Sequence, residues 1–149
     1  MKRYNIEEFK GSRIAAIDYG KRRIGFAVCD EFHITVNPKF TFDNSKENII
    51  DDIINEIKKE NARFIIIGVP YRLDELVSEF MQEIEDFAAL LELKTELPVI
   101  RYDESYSTHR SVAAMIEIGK KKKKRAEKGY KDQIAAAIIL QDFLQELES

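Results

Sequence analysis

Four acidic residues stand where this chain could do chemistry: Asp18, the neighbours Asp103 and Glu104, and Asp132. Asp18 closes the run Arg13-Ile14-Ala15-Ala16-Ile17 and opens Tyr19-Gly20-Lys21-Arg22-Arg23, after which a second apolar run begins at Ile24. A carboxylate delivered from the tip of a buried strand into a tight turn, beside three cations, suits a divalent metal and a phosphate oxygen. The same residues also read as a hairpin turn whose Asp bonds the backbone and whose cations are solvated. Asp103 and Glu104 follow another apolar stretch, and there they could equally start a turn. Asp132 falls in the first turn of a helical segment, where an acid complements the helix dipole. It directly precedes a stretch containing Ala135-Ala136-Ala137, small residues that let a helix approach a sheet closely and could bring Asp132 toward Asp18.

Carboxylates held together repel and raise one another's pKa, and a divalent cation removes that penalty. His33 and His109 are the only histidines and Cys29 the only cysteine, so a zinc site built on nitrogen and sulfur is not expected. All-oxygen ligation points to Mg²⁺ or Mn²⁺. Two such ions about 3.5–4 Å apart activate water and stabilise the leaving oxygen of an in-line phosphodiester displacement. Nucleic-acid hydrolysis is the chemistry this set would serve.

The elements that must position these acids follow from the hydrophobic pattern. Strands are expected at Arg13–Asp18, Ile24–Cys29 and His33–Phe42, the last carrying Pro38 and therefore at an edge or a bulge. Short turns between them predict an antiparallel meander. Ile49, Ile50, Ile53, Ile54 and Ile57 recur at helical spacing, with Asn44 or Ser45 as a cap. Phe64-Ile65-Ile66-Ile67, within a strand expected over Arg63–Gly68, is an uninterrupted apolar run, as in a strand buried on both faces. A long helix is expected over roughly Asp74–Leu93, with Leu76, Phe80, Ile84, Phe87, Ala88 and Leu91 facing the core. A fifth strand spans Leu97–Tyr102. Ser107 or Thr108 can cap a helix through Ile118, with Gly119 after it, and a final helix runs from about Tyr130 to Leu147. This order predicts an α/β fold: a mixed five-stranded sheet, its first three strands antiparallel and its later strands parallel to the first, flanked by helices. Such sheets gather function at the C-terminal ends of their parallel strands, where Asp18, Pro70 and Asp103-Glu104 all fall.

At 149 residues the chain is expected to form a single domain, residues 1–149. No apolar run approaches the roughly 20 residues that span a bilayer and no signal-type segment is seen, so a cytoplasmic protein without membrane contact is expected. Charge is unevenly placed. Between Lys120 and Lys131 eight cations face Glu127 alone, a segment of +7, so the remainder carries −10 for a net of −3. Clustered Lys and Arg release counterions on meeting a polyanion, although such a run can also be a solvated loop.

The chain closely resembles the YqgF/RuvX family of ribonuclease H-like proteins, known as Holliday-junction resolvases and, in bacteria, as pre-16S rRNA nucleases. The resemblance is carried by Asp18-x-Gly20 through Ile24-Gly25-Phe26-Ala27-Val28 and by Ile65-Ile66-Ile67-Gly68-Val69-Pro70. It continues through Leu97-Pro98-Val99, Asp103-Glu104, Ser107-Thr108, Lys123-Lys124-Arg125 and Asp132-x-x-Ala135-Ala136. It implies the ribonuclease H-like fold, with Asp18, Asp132 and one of Asp103 or Glu104 as catalytic, metal-binding acids, Glu104 preferred for its longer reach. Lys21, Arg22, Arg23, Thr108, Lys121, Lys122, Lys123, Lys124 and Arg125 are the expected nucleic-acid contacts.

Two departures stand out. The family commonly has Arg after the Asp-Glu pair, where this chain has Ser105, with Arg101 or Arg110 the nearest cations in sequence; and Asp74-Glu75 stands where Asp-Gly is common. The expected activity is metal-dependent cleavage of structured nucleic acid, RNA favoured over DNA, with ribosomal RNA precursor as substrate and ribosomal precursor particles as partners. The alternatives are a Holliday-junction resolvase and a nucleic-acid-binding module without turnover. A sugar-kinase-type phosphotransferase also begins with Asp-x-Gly, but it needs a second domain to close over ATP. Each helical apolar stripe is expected to pack on the chain's own sheet, which favours a monomer or weak homodimer over the symmetric dimer a resolvase requires.

Overall fold

The computed structural model describes residues 4–70, 78–103 and 129–148. In chain order the elements are α1 (Ile6–Phe9), β1 (Arg13–Asp18), β2 (Arg23–Cys29), β3 (Val36–Asp43), α2 (Ile49–Lys59), β4 (Ala62–Val69), α3 (Ser78–Thr95), β5 (Val99–Asp103) and α4 (Tyr130–Glu148). The five strands form one sheet in the order β3-β2-β1-β4-β5. β1 with β2 and β2 with β3 are antiparallel, whereas β4 runs parallel to both β1 and β5. The expected mixed sheet is therefore present.

Alternation along the strands divides the core in two. Ala15 and Ile17 of β1, Ile24 and Phe26 of β2, and Ile65 and Ile67 of β4 pack against Ile53, Ile54 and Ile57 of α2 and Ile84, Ala88 and Leu91 of α3. On the other face Ile14, Ala16, Ile66 and Tyr102 meet Ile139, Leu140, Phe143, Leu144 and Leu147 of α4, together with Phe9 of α1. Ala27 of β2 lies against Ala136 and Ala137, so α4 packs on this part of the sheet through small side chains. No helix among the described residues is long and apolar enough to cross a membrane.

Several boundaries differ from the sequence pattern, each for a local reason. The third strand starts at Val36 rather than His33, because Asp30 Oδ1 accepts the N–H groups of Ile34 and Thr35 and holds these residues in the hairpin loop. Pro38 does mark both an edge strand and a bulge: the β2–β3 register shifts between Phe26, opposite Phe40, and Ala27, opposite Pro38. α2 is not capped by Asn44 or Ser45. Its N-cap is Asn48, in a left-handed conformation and without a side-chain cap bond, while Asp51 and Asp52 in the first turn and Lys58 and Lys59 in the last complement the helix dipole.

α1, which the apolar spacing did not signal, is a single turn capped by Asn5 that delivers Phe9 to the core. α3 keeps its inward stripe but leaves Leu90 and Leu93 exposed, so its apolar residues are not all used against its own sheet. Leu76 and the expected helix between Ser107 and Ile118 lie outside the described residues.

Candidate active site

Asp18 ends β1, the central strand, which is paired with β2 on one side and β4 on the other. Alternation puts it on the α4 face with Ile14 and Ala16. Its antiparallel partner is Gly25, and Gly25 is in turn paired with Thr41 of β3, so Asp18, Gly25 and Thr41 form one row across the sheet. The turn beyond Asp18 is pinned from below. Asn44 donates its side-chain amide to the Gly20 carbonyl and its backbone N–H to that of Arg22, both at 2.8 Å. A side chain on Gly20 would bring its Cβ to 2.5 Å from the Arg23 carbonyl oxygen, which is why this turn takes glycine. Tyr19 points to the other face, where it packs against Phe80 and Phe87 and donates its hydroxyl to Glu83 at 2.8 Å. Burial pushes the Tyr19 hydroxyl pKa above its ordinary value. Lys21 lies with Nζ 5.9 Å from the Phe80 ring centroid.

Asp132 approaches from above, in the first turn of α4. Its backbone carbonyl rests directly on Gly25, where any Cβ would collide with it. The residue opposite Asp18 in the ladder is thus the seat of the Asp132 backbone, and two acids 114 positions apart in the chain reach one sheet edge on one face. Asp132 is half-buried, and Arg23, at the start of β2, donates Nε–H to its Oδ2 at 2.8 Å. One of the three cations in the turn after Asp18 is therefore already paired with the Asp132 carboxylate. Thr41 and Gln133, which the sequence pattern did not single out, meet at the same helix start.

Asp103 ends β5, paired with Val69. Alternation groups it with Val99 and Arg101 on the α3 side, whereas Tyr102 faces α4 and packs edge-on against Phe143. Asp103 therefore lies across the sheet from Asp18. Arg101 does not supply the guanidinium that Ser105 lacks: it is bound to Glu85 at 2.8 Å and Glu92 at 3.1 Å of α3, which hold its pKa above the ordinary arginine value. Glu104, Thr108, Arg110 and the run Lys121 to Arg125 lie outside the described residues. Among the described residues no three acidic, histidine or cysteine side chains gather closely enough to hold a metal ion.

The chain is similar to known proteins over most of its length. A family model described as RuvX, Holliday junction resolvase, matches residues 12–146. A protein of Bacteroides fragilis named "Putative pre-16S rRNA nuclease" is 40% identical over 135 residues, covering 90% of this chain and 96% of its own length. One of the same name from Syntrophus aciditrophicus is 35% identical over 133 residues, covering 89% and 87%. Among solved structures, Thermus thermophilus RuvC in complex with a Holliday junction substrate superposes with a TM-score of 0.60 at 10% identity, over 89% of this chain and 93% of that one. The fowlpox virus resolvase bound to Holliday junction DNA gives 0.62 at 16% identity, over 92% and 99%. At such identities these structures speak for the fold, which is ribonuclease H-like.

Proposed function

The chain belongs to the RuvX family, and from that premise we propose that it is a metal-dependent endonuclease that hydrolyses phosphodiester bonds of structured RNA, with ribosomal RNA precursor as its substrate. The observation that carries this reading is the seating of Asp132 on Gly25, the cross-strand partner of Asp18. Two carboxylates converging on one strand end repel unless a cation lies between or beside them. Arg23 provides one positive charge at Asp132. The donor set, carboxylate oxygen without histidine or cysteine, fits Mg²⁺ or Mn²⁺. Asp18 and Asp132 would hold the metal with Glu104 as third ligand. The position of Asp103 on the α3 side favours its neighbour Glu104 for that role.

When bound, such ions make water a nucleophile at neutral pH and stabilise the leaving oxygen. The chain's own residues do the rest. β1 and α4 hold the acids at fixed positions, and Arg22, in the turn beyond Asp18, would offer positive charge to a phosphate, whereas Lys21 lies over the Phe80 ring on the α3 side. Thr108 and the run Lys121, Lys122, Lys123, Lys124 and Arg125 would follow the backbone of the nucleic acid. One domain, acting as a monomer or weak homodimer in the cytoplasm, suffices to cut a single strand.

RNA is favoured because the relatives at 35–40% identity carry the name of a pre-16S rRNA nuclease, whereas the junction-bound structures are 10–16% identical. The family description keeps Holliday-junction resolution as the second reading. Matched, labelled RNA and four-way DNA junctions incubated with the purified chain and Mn²⁺ separate the two. RNA cleavage is expected to be the faster, and Asp18→Asn or Asp132→Asn to abolish it with unfolding curves little changed. Paired symmetric nicks in the junction, faster than any RNA cut, would restore the resolvase. Full turnover by Asp18→Asn would end the metal mechanism.

A further inference from the structure

Thr41 carries no acid and no charge, yet it sits where the carboxylate-bearing helix begins. Its hydroxyl donates to the Gly129 carbonyl at 2.5 Å and accepts from Gln133 Nε2 at 3.3 Å. The Gly129 carbonyl is also the acceptor of the Asp132 backbone N–H, at 3.0 Å. One oxygen atom thus joins the edge strand to the residue bearing the carboxylate. The Thr41 methyl is engaged as well. Gly129 has φ +97°, and a Cβ on it would come 3.1 Å from Thr41 Cγ2, so the glycine admits the threonine from one side while its carbonyl takes the hydroxyl. Thr41 is paired with Gly25, and Gly25 with Asp18. The row that ends at Asp18 therefore also fixes the start of α4, through one hydroxyl at its far end.

We propose that Thr41 is a positioning residue for Asp132: its hydroxyl, through the Gly129 carbonyl, sets the height of the first turn of α4 over Gly25 and hence the spacing of the Asp132 and Asp18 carboxylates. The proposal rests on the metal-binding reading of those two acids. A valine at this position keeps the branched shape and leaves the Gly129 carbonyl one hydrogen bond short. A serine keeps the bond and loses only the methyl.

Calorimetric titration of the full chain with Mn²⁺ tests this, together with unfolding curves and kcat and KM for Mn²⁺-dependent cleavage of a labelled structured RNA. Residues that orient metal ligands typically change affinity or activity by about 10-fold or more when altered, and that loss is expected in Mn²⁺ affinity and in kcat for Thr41→Val. KM for RNA should stay unchanged, and Thr41→Ser should recover both losses. Should the valine variant fail to fold, Thr41→Ala, which adds no bulk beside Gly129, is expected to show the same loss. Asp132→Asn keeps the two ideas apart. If it binds Mn²⁺ as tightly as the unaltered chain, the metal-binding reading of Asp132 fails. If it loses Mn²⁺ while the chain without the hydroxyl retains it, the positioning role alone fails. Equal losses in Thr41→Val, which keeps the methyl, and Thr41→Ser, which keeps the hydroxyl, would show that packing at this position rather than the hydroxyl bond governs the site, and would overturn the proposal.

Discussion

Asp18 is carried by a strand paired on both sides, whereas Asp132 is carried by the first turn of a helix that meets the sheet through Gly25, Arg23 and Thr41. In β1 the residues Ile14 to Ile17 are fully buried between two layers of helix, so the place of Asp18 is determined many times over. The first turn of α4 has fewer ties. The rest of the helix is fixed by Phe143 and Leu140 farther along, but the last few tenths of an ångström at Asp132 depend on individual polar contacts and on one missing side chain. Small substitutions far from the chemistry should therefore matter on the Asp132 side and be absorbed on the Asp18 side.

The sharpest way to break this contrast is Gly25→Ala. A methyl group there collides with the Asp132 carbonyl, so the start of α4 must lift. Overpacking of this kind typically costs about 1–3 kcal/mol. Mn²⁺-dependent cleavage should be lost with it, while urea unfolding still shows one cooperative transition. Normal cleavage by Gly25→Ala would mean that the height of the helix does not control the site.

Asn44→Ala probes the other side. It removes one hydrogen bond to the Gly20 carbonyl, a change of about 1 kcal/mol in stability, but the ladder under Asp18 remains. A smaller fall in kcat than for Thr41→Val is expected. An equal or larger fall would show that the turn, rather than the strand, places Asp18.

The smallest effect is expected from Arg101→Gln. The guanidinium is held by Glu85 and Glu92 on the far face of the sheet, and its loss should cost no more than about 1 kcal/mol. Cleavage should be unchanged. A marked loss of activity would mean that this arginine reaches the site after all, in place of the one absent at Ser105.

Much of this was legible in the residues themselves. The limits of β1 match the apolar run that ends at Asp18, and α4 begins at Tyr130 as the pattern of small and apolar residues indicated. The mixed sheet follows from three strands joined by short turns and then strands separated by helices. These features are written locally, because burial on one face or two imposes a period of two or 3.6 residues on the chain. Asp18 and Asp132 stood out because each lies at the end of such a period, and the family resemblance grouped them.

What only the tertiary structure decided lies in contacts between distant residues. Asn44 reads as a helix cap and instead holds the turn beyond Asp18, and Asp103 and Arg101 fall on the face away from it. Arg23 meets Asp132 across 109 positions, and Thr41 meets Gly129 across 88. A threonine in an edge strand and a glycine before a helix each satisfy their local pattern whether or not they touch. Strand pairing and the small side chains beneath α4 bring them together, and that packing sets the distance between two carboxylates, which no local period encodes.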